Sequence, residues 1–422
     1  MLDPKFIREH AEEIKENTLR RGVQADVDAF LKLDEQRLTL IRTIEDKRRG
    51  RNEIADKMKS AGEAERPALI ARGKELKEAT AKLEAEQEQI EPEWKKILLQ
   101  IPNMTHPASP VGESDAENKE IKIVGTVTHL SFTPKSHVEL AESKDLIDFE
   151  RGAKVAGAKF YFLKNKLVLL EQALIQWVLK DMVDEGFTPM VTPDLAKDEV
   201  LLGTGFNPRG PEAQIYSLEN SDLSLIGTAE IPLGGYHMDE IVDEDKLPLK
   251  YVGLSHCFRT EAGAYGRESY GLYRVHQFSK VELFVFAAPW QSEAIHEELR
   301  RLEEGIFTKL GVPFRVVDIC TGDLGGPAYR KYDLEAWMWG RKDGKGDWGE
   351  VTSASNCTDY QARRLNIRVR KKDGSVEPLH TLNGTAVATS RALIAIMENY
   401  QQEDGSILVP EVLKPFCGFD RL

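Results

Sequence analysis

The sequence predicts an α+β protein: a mostly antiparallel β-sheet with flanking helices, preceded by an antiparallel pair of long helices. Three features of the chain predict it. Apolar residues recur every seven positions through a charged N-terminal stretch. Beyond residue 118, short strand-like runs follow one another with few helical stretches between them. The segment "VRKKDGSVEPLH" turns at Asp373-Gly374 as a β-hairpin does. Strands adjacent in sequence favour antiparallel pairing, with helices laid against the sheet.

Leu69, Leu76, Leu83, Ile90 and Ile97 form the seven-residue repeat, among Glu, Lys and Ala. Upstream, Leu33, Leu40, Ile44, Ile54 and Met58 alternate steps of four and three, with Lys47 and Arg51 in the gaps. "SAGEAERP" between them supplies the Gly and Pro of a reversal. This predicts a helical hairpin from about Val27 to Ile101, coiled antiparallel and projecting into solvent because only a narrow seam is apolar. Pro92 lacks an N–H and should kink or restart the second helix. The cluster Arg42, Lys47, Arg48, Arg49, Arg51 is either a solvated face or a phosphate-contacting one. "IPNMTHPASPVGESDAEN" then reads as a linker, so the expected domains are 1–105, with the arm at about 27–100, and 106–422. In the second, "NKLVLLEQALIQWVLKDMVDEG" is helical, and a last helix is expected over "TAVATSRALIAIMENYQ".

The chain has 422 residues, 41% apolar and 30% charged, which suits a soluble protein with a large core. Apolar runs such as "LFVFAAPW" are too short for a bilayer, and the N-terminus lacks a signal-peptide core. A cytoplasmic location without membrane association is therefore expected. Cys257, Cys320, Cys357 and Cys417 have no close spacing, so neither a structural zinc nor a disulfide framework is expected. The net charge of −13 argues against a polyanionic partner overall. Residues 1–105, however, carry 21 basic against 22 acidic side chains, while the remainder carries 36 against 48. The arm alone can still hold nucleic acid.

The segment Cys257–Phe284, "CFRTEAGAYGRESYGLYRVHQFSKVELF", is unusual. Its ends read as half-buried strands, yet Arg259, Glu261, Arg274 and Glu282 lie on or beside them. Buried charges need partners, because desolvating an ion is costly. Arginines offer planar bidentate forks to phosphate oxygens. Arg259 and Arg274 flank a stretch with three glycines, as expected of a loop that closes on a ligand, and Arg391 sits in the final predicted helix. Phe278 offers an aromatic platform. Glu350, with Ser353 three residues on, makes an oxygen-rich pair suited to Mg2+. Any one of these pairs could simply brace the sheet; the set around one sheet points to a polyphosphate cleft. No G-x-x-x-x-G-K-[ST] or G-x-G-x-x-G loop is present, so the nucleotide site is of another kind. His256 and His276 read as structural hydrogen bonders.

"GFTPMVTPDL", "CFRTEAG…GLYRVHQFSKVE" and "LNGTAVATSRALIAIMENYQ" together resemble the three motifs of class II aminoacyl-tRNA synthetases. "GTAE" at 227–230 and the helical arm narrow the resemblance, over essentially the whole chain, to seryl-tRNA synthetases of the bacterial type. The resemblance implies a class II antiparallel-sheet catalytic domain and an ATP-dependent ligase. Such enzymes activate L-serine as seryl-adenylate and transfer it to serine tRNA, with selenocysteine tRNA as a second candidate. It also implies Mg2+ accompanying ATP, a homodimer with Pro193 at its interface, and an arm that grips the tRNA's long variable stem.

Carried over by residue, Arg259 would hold the α-phosphate and Glu261 the nucleotide, Phe278 would stack on adenine near the Val275 backbone, and Arg391 would grip the γ-phosphate. Thr260 and Arg274 join the ATP site, as do Glu350, Val351, Thr352 and Ser353, with Glu350 and Ser353 matching the metal positions. Thr228, Ala229, Glu230, Glu282, Asn383 and Thr385 would form the serine site. Thr385 stands where Ser is common in the family, and an alternative is that it caps the last helix. Tyr265, Tyr270 and Tyr273 make the second motif more aromatic than in many relatives, and "WGRKDGKGDW" is somewhat expanded. Two rivals are an amino-acid ligase on the same body, which would not need the arm, and a non-catalytic relative, which would be expected to lose Arg259, Glu282 or Arg391.

Overall fold

The computed structural model describes residues 1–207, 214–261 and 271–422, and the chain divides into two compact units, Met1–Met104 and Thr105–Leu422. Tyr265 and Tyr270, with most of the glycine-bearing stretch, lie outside the described residues.

The first unit contains α1 (Pro4–Glu9), α2 (Ala11–Arg20), α3 (Val27–Ser60) and α4 (Arg66–Gln100). Asp26 caps α3, its carboxylate accepting the Ala29 N–H at 2.8 Å. The long helices reverse at 61–65, where "SAGEAERP" predicts it. Of the seven-residue repeat, Leu76 and Ile97 are buried and the other three members half-buried, as a narrow seam requires. Arg37–Glu91 at 3.0 Å and Arg48–Glu84 at 2.7 Å cross the pair. At its base Phe30, Trp94, Ile97 and Leu98 form a core with Ile7 and Ile14. Buried Asp34 accepts the Trp94 indole N–H at 3.0 Å and pairs with Arg8.

Contrary to expectation, α4 continues through Pro92. Proline there removes one hydrogen bond, to the carbonyl of Glu88, on an exposed face where water can replace it. The Arg37–Glu91 pair and buried Trp94 hold the helix on either side.

In the second unit the principal helices are α5 (His137–Ser143), α6 (Lys166–Asp184), α7 (Ser292–Leu310) and α8 (Thr389–Asn399). The main sheet comprises β1 (Lys119–Val124), β2 (Thr188–Val191), β3 (Leu249–Phe258), β4 (Gln277–Ala287), β5 (Phe314–Asp318), β6 (Arg330–Met338), β7 (Asp347–Asn356) and β8 (His380–Ala388). Their order is β1-β5-β6-β7-β8-β4-β3-β2, antiparallel throughout except for β2 on β3. The expected hairpin is present, with Arg368–Arg370 paired to Val376–Pro378.

Strand alternation sorts the sheet's two faces. On β4, Val281, Leu283, Val285 and Ala287 join α6, α7 and α8 in the main core. The opposite face presents Phe278, Lys280 and Glu282, then Phe284 and Phe286, which enter a second apolar cluster. The charged residues of this segment thus occupy one end of a face whose other end is ordinary core.

The final helix starts later than expected. "TAVA" belongs to β8, and α8 begins only at Thr389. Thr385 is therefore a strand residue and not a helix cap. The junction has no Gly, no Pro and no side-chain cap, so nothing in the sequence marks it.

Candidate active site

A cavity of about 250 Å3 opens on the charged face of the sheet. At one end, β4 and β8 place Glu282 directly opposite Thr385, whose hydroxyl donates to Glu282 Oε2 at 3.3 Å. Lys280, on the same face two residues back, reaches that oxygen at 2.6 Å. Glu230, in the short helix Glu230–Gly235, accepts from Gln361 Nε2 at 2.7 Å and Asn383 Nδ2 at 3.0 Å. Burial, reinforced by the charge of Glu282, pushes the Glu230 carboxyl up to about 7. Burial also raises Glu282, against the opposing pull of Lys280. Lys280 and, more weakly, Arg259 oppose these shifts at both carboxylates, and burial outweighs them.

At the other end Arg259 donates through Nε to the Gly227 carbonyl at 3.2 Å, and its guanidinium stands 5.3 Å from the Phe278 ring centre. Arg391 pairs with Glu350 at 3.0 Å. Burial would raise the Glu350 carboxyl, but Arg391, Lys331 and Arg259 outweigh it and hold it below the usual range. Glu261, at φ +46°, and Val275 complete this side, with Arg274 pairing to Glu261 at 3.2 Å.

Glu350 and Ser353 are three apart, so in a regular strand they would face opposite ways. A bulge at Val351 prevents this. Thr352 opposes Leu334 and Glu350 opposes Glu335, leaving Val351 without a partner and returning Glu350 to the face of Ser353. A second bulge, at Ala386, follows Thr385 on β8.

Fourteen of the seventeen residues singled out from the sequence line this cavity. Thr260, Arg274 and Ala229 do not. The Thr260 hydroxyl bonds Gln214 at 3.3 Å, Arg274 is 45% exposed beside Glu261, and Ala229 is buried in the second apolar cluster. Thr352 reaches the wall with its backbone side, because its hydroxyl donates to Glu303 behind the sheet at 2.7 Å. His256 bonds Asp194 at 2.9 Å, and His276 bonds the Arg259 carbonyl at 2.8 Å. Both act as structural hydrogen bonders. Lys280, Ser355 and Tyr273 line the cavity without having been assigned to it from the sequence. For Lys280 a signal existed, since it lies two residues from Glu282 on a predicted strand.

A family profile described as the seryl-tRNA synthetase N-terminal domain matches residues 1–105, and one described as the tRNA synthetase class II core domain (G, H, P, S and T) matches residues 215–400. The chain is 56% identical to a serine–tRNA ligase of Treponema denticola over the full length of both. The chain belongs to the seryl-tRNA synthetase family. Among solved members, the seryl-tRNA synthetase of Pyrococcus horikoshii, complexed with ATP, superposes with a TM-score of 0.92 at 42% identity, covering 100% of this chain and 99% of that one. The cytoplasmic serine–tRNA ligase of Naegleria fowleri, in complex with AMP, gives 0.86 at 33% identity, covering 100% and 98%. The family resemblance thus spans both units, the arm as well as the sheet.

Proposed function

We propose that this chain is an ATP-dependent serine–tRNA ligase, making seryl-adenylate and passing the seryl group to serine tRNA. The observation that carries the reading is the pairing of two charge environments in one cavity. Glu230, Glu282 and Thr385 suit an ammonium and a hydroxyl, and Arg259 and Arg391 suit phosphates. The substrate ammonium sits between Glu230 and Glu282, where a further positive charge offsets the burial of the two carboxylates. Thr385 and Glu282 read the substrate hydroxyl, with Thr228 and Asn383 closing the pocket.

The serine carboxylate attacks the α-phosphorus in line and pyrophosphate leaves. No general base is needed, because the carboxylate is already ionised above ~3–4. Arg259 holds the α-phosphate and Arg391 the γ-phosphate, stabilising charge that grows on phosphoryl oxygens. Adenine stacks on Phe278 near the Val275 backbone, with Glu261 beside it. Among the described residues no cluster of three carboxylate, His or Cys groups could hold an ion alone. Glu350 and Ser353 offer two hard oxygens, which fits Mg2+ that also takes phosphate oxygens. When bound, that ion would neutralise charge on the phosphates.

The arm is assigned to tRNA. Arg42, Arg49 and Arg51 are exposed on α3, free for phosphate contact, while Arg48 turns to Glu84. A homodimer through the sheet edge is supported by β2, the terminal strand, where Val191 is 82% exposed and Pro193 is exposed. A cytoplasmic location agrees with helices none of which, among the described residues, can cross a membrane.

ATP–pyrophosphate exchange tests the reading. Exchange should depend on serine and be followed by charging of serine tRNA. Exchange supported equally by alanine or threonine would sink it.

A further inference from the structure

Arg391 occupies the first turn of α8, and Glu398 lies seven residues on, about two turns along the same side. Glu398 is 1% exposed and accepts three N–H groups. Its Oε2 takes the Gly340 N–H at 2.7 Å; its Oε1 takes the His137 backbone N–H at 2.9 Å and His137 Nδ1 at 2.8 Å. The second imidazole nitrogen, Nε2, accepts the Leu272 N–H at 3.1 Å. That pair of bonds requires a neutral ring with its proton on Nδ1. Gly271 makes the approach possible: at φ +75°, a Cβ there would lie 2.1 Å from His137 Nε2.

The residue after Leu272 is Tyr273, and the residue after Gly340 is Arg341. Their side chains meet. The Tyr273 ring lies between two guanidiniums, Arg391 at 4.7 Å and Arg341 at 4.9 Å from its centre. Its hydroxyl reaches the Glu350 carbonyl, at 3.5 Å. Behind Tyr273 is a second cavity of about 300 Å3, bordered by His137, Arg341 and Glu398. With open space on that side, packing alone does not fix the ring.

Resting on the ligase reading, we propose that His137 and Glu398 are positioning residues: through Leu272 and Gly340 they fix Tyr273 and Arg341, and these aim the Arg391 guanidinium at the terminal phosphate of ATP. Neither residue touches the substrate cavity. One buried carboxylate on α8 holds both segments that stack around the arginine of the same helix.

The test uses the full-length protein, with serine-dependent pyrophosphate exchange and calorimetric titration of ATP. His137→Ala should raise the KM and Kd for ATP about 10- to 100-fold, the size expected when a charge-assisted hydrogen bond to phosphate is lost. KM for serine should stay within about twofold. His137→Gln, which keeps one donor and one acceptor, should recover most of the loss, and Glu398→Gln, which sets a donor against one of three N–H groups, should not. In a Tyr273→Leu background His137→Ala should add little, whereas in a Thr385→Val background it should act in full. Equal losses for serine and ATP, or additivity with Tyr273→Leu, would overturn the proposal. If His137→Ala does not fold, Glu398→Gln and His137→Gln decide the question by the same ATP-against-serine split. A wild-type protein that fails to exchange with serine refutes the ligase reading instead, while the ATP titrations still judge the positioning pair.

Discussion

Replacing Thr385 with Val removes one hydroxyl and keeps the shape, and β-branching suits the strand in which Thr385 lies. The hydroxyl donates to Glu282 Oε2 at 3.3 Å where both residues are almost fully buried. Lys280 stays on the same carboxylate oxygen at 2.6 Å, so Glu282 is not left without a partner. The stability loss should therefore remain near ~1 kcal/mol, that of one ordinary hydrogen bond. Serine activation should suffer more. A hydrogen bond in contact with a charged group contributes ~1.5–3 kcal/mol, or about 10- to 150-fold in kcat/KM. Alanine has no hydroxyl to lose, so the serine-over-alanine ratio should contract by the same factor while KM for ATP stays put. Pyrophosphate exchange at saturating ATP, with serine and alanine varied, measures this. Serine kcat/KM unchanged beside a lowered Tm would refute the reasoning, as would an equal loss for ATP.

Arg259→Lys keeps the charge but cannot both donate to Gly227 and stack on Phe278, so adenylation should fall about 10²-fold or more; near-full activity would mean a point charge suffices. Shortening the hairpin across residues 42–87 leaves the Arg37–Glu91 pair and the Phe30–Trp94 core intact. Charging of serine tRNA should then vanish while exchange survives, and parallel loss of both in a folded protein would make the arm structural. Glu230 must be ionised to attract an ammonium, and burial beside Glu282 pushes its carboxyl up to about 7. Because the proton binds where the ammonium would, serine Kd should rise as pH falls below 7, approaching tenfold per unit. A Kd flat between pH 5.5 and 8 counts against Glu230 as an ammonium partner. The same profile in Glu230→Gln would assign the titration to another group.

Much of the fold is legible because its signals are periodic. The seven-residue repeat marks the second arm helix and the alternating steps of four and three the first, and the Asp373-Gly374 turn marks a hairpin. The site is legible mainly through its motifs, which name most of the cavity wall. What escapes notice depends on contacts distant in sequence or on local irregularity. "TAVATSRAL" consists of small residues that suit strand and helix equally, so the start of α8 at Thr389 has no mark. Pro92 breaks a helix rule where an exposed carbonyl makes the exception inexpensive. Tyr273 shows its role only once Arg341, about seventy residues away in sequence, stacks on it. Thr260 and Arg274 lie inside a motif yet face outward, which spacing does not reveal.

The bulge at Val351 makes the site depend on the pairing register of β7 as well as on its side chains. A regular strand is a two-beat count, and one unpaired residue shifts its phase by half a cycle. Were β7 to run at its present length without the bulge, Glu350 would turn from the cavity toward the core packed behind the sheet, although every charged residue would still be present. Deleting Val351 would instead set Glu350 and Ser353 two apart and leave both on the cavity face. Substituting Val351 disturbs the main core and one wall contact but leaves the phase alone. A register slip that irons out the bulge should accordingly cost Glu350 its place on the wall, with no change in any side chain.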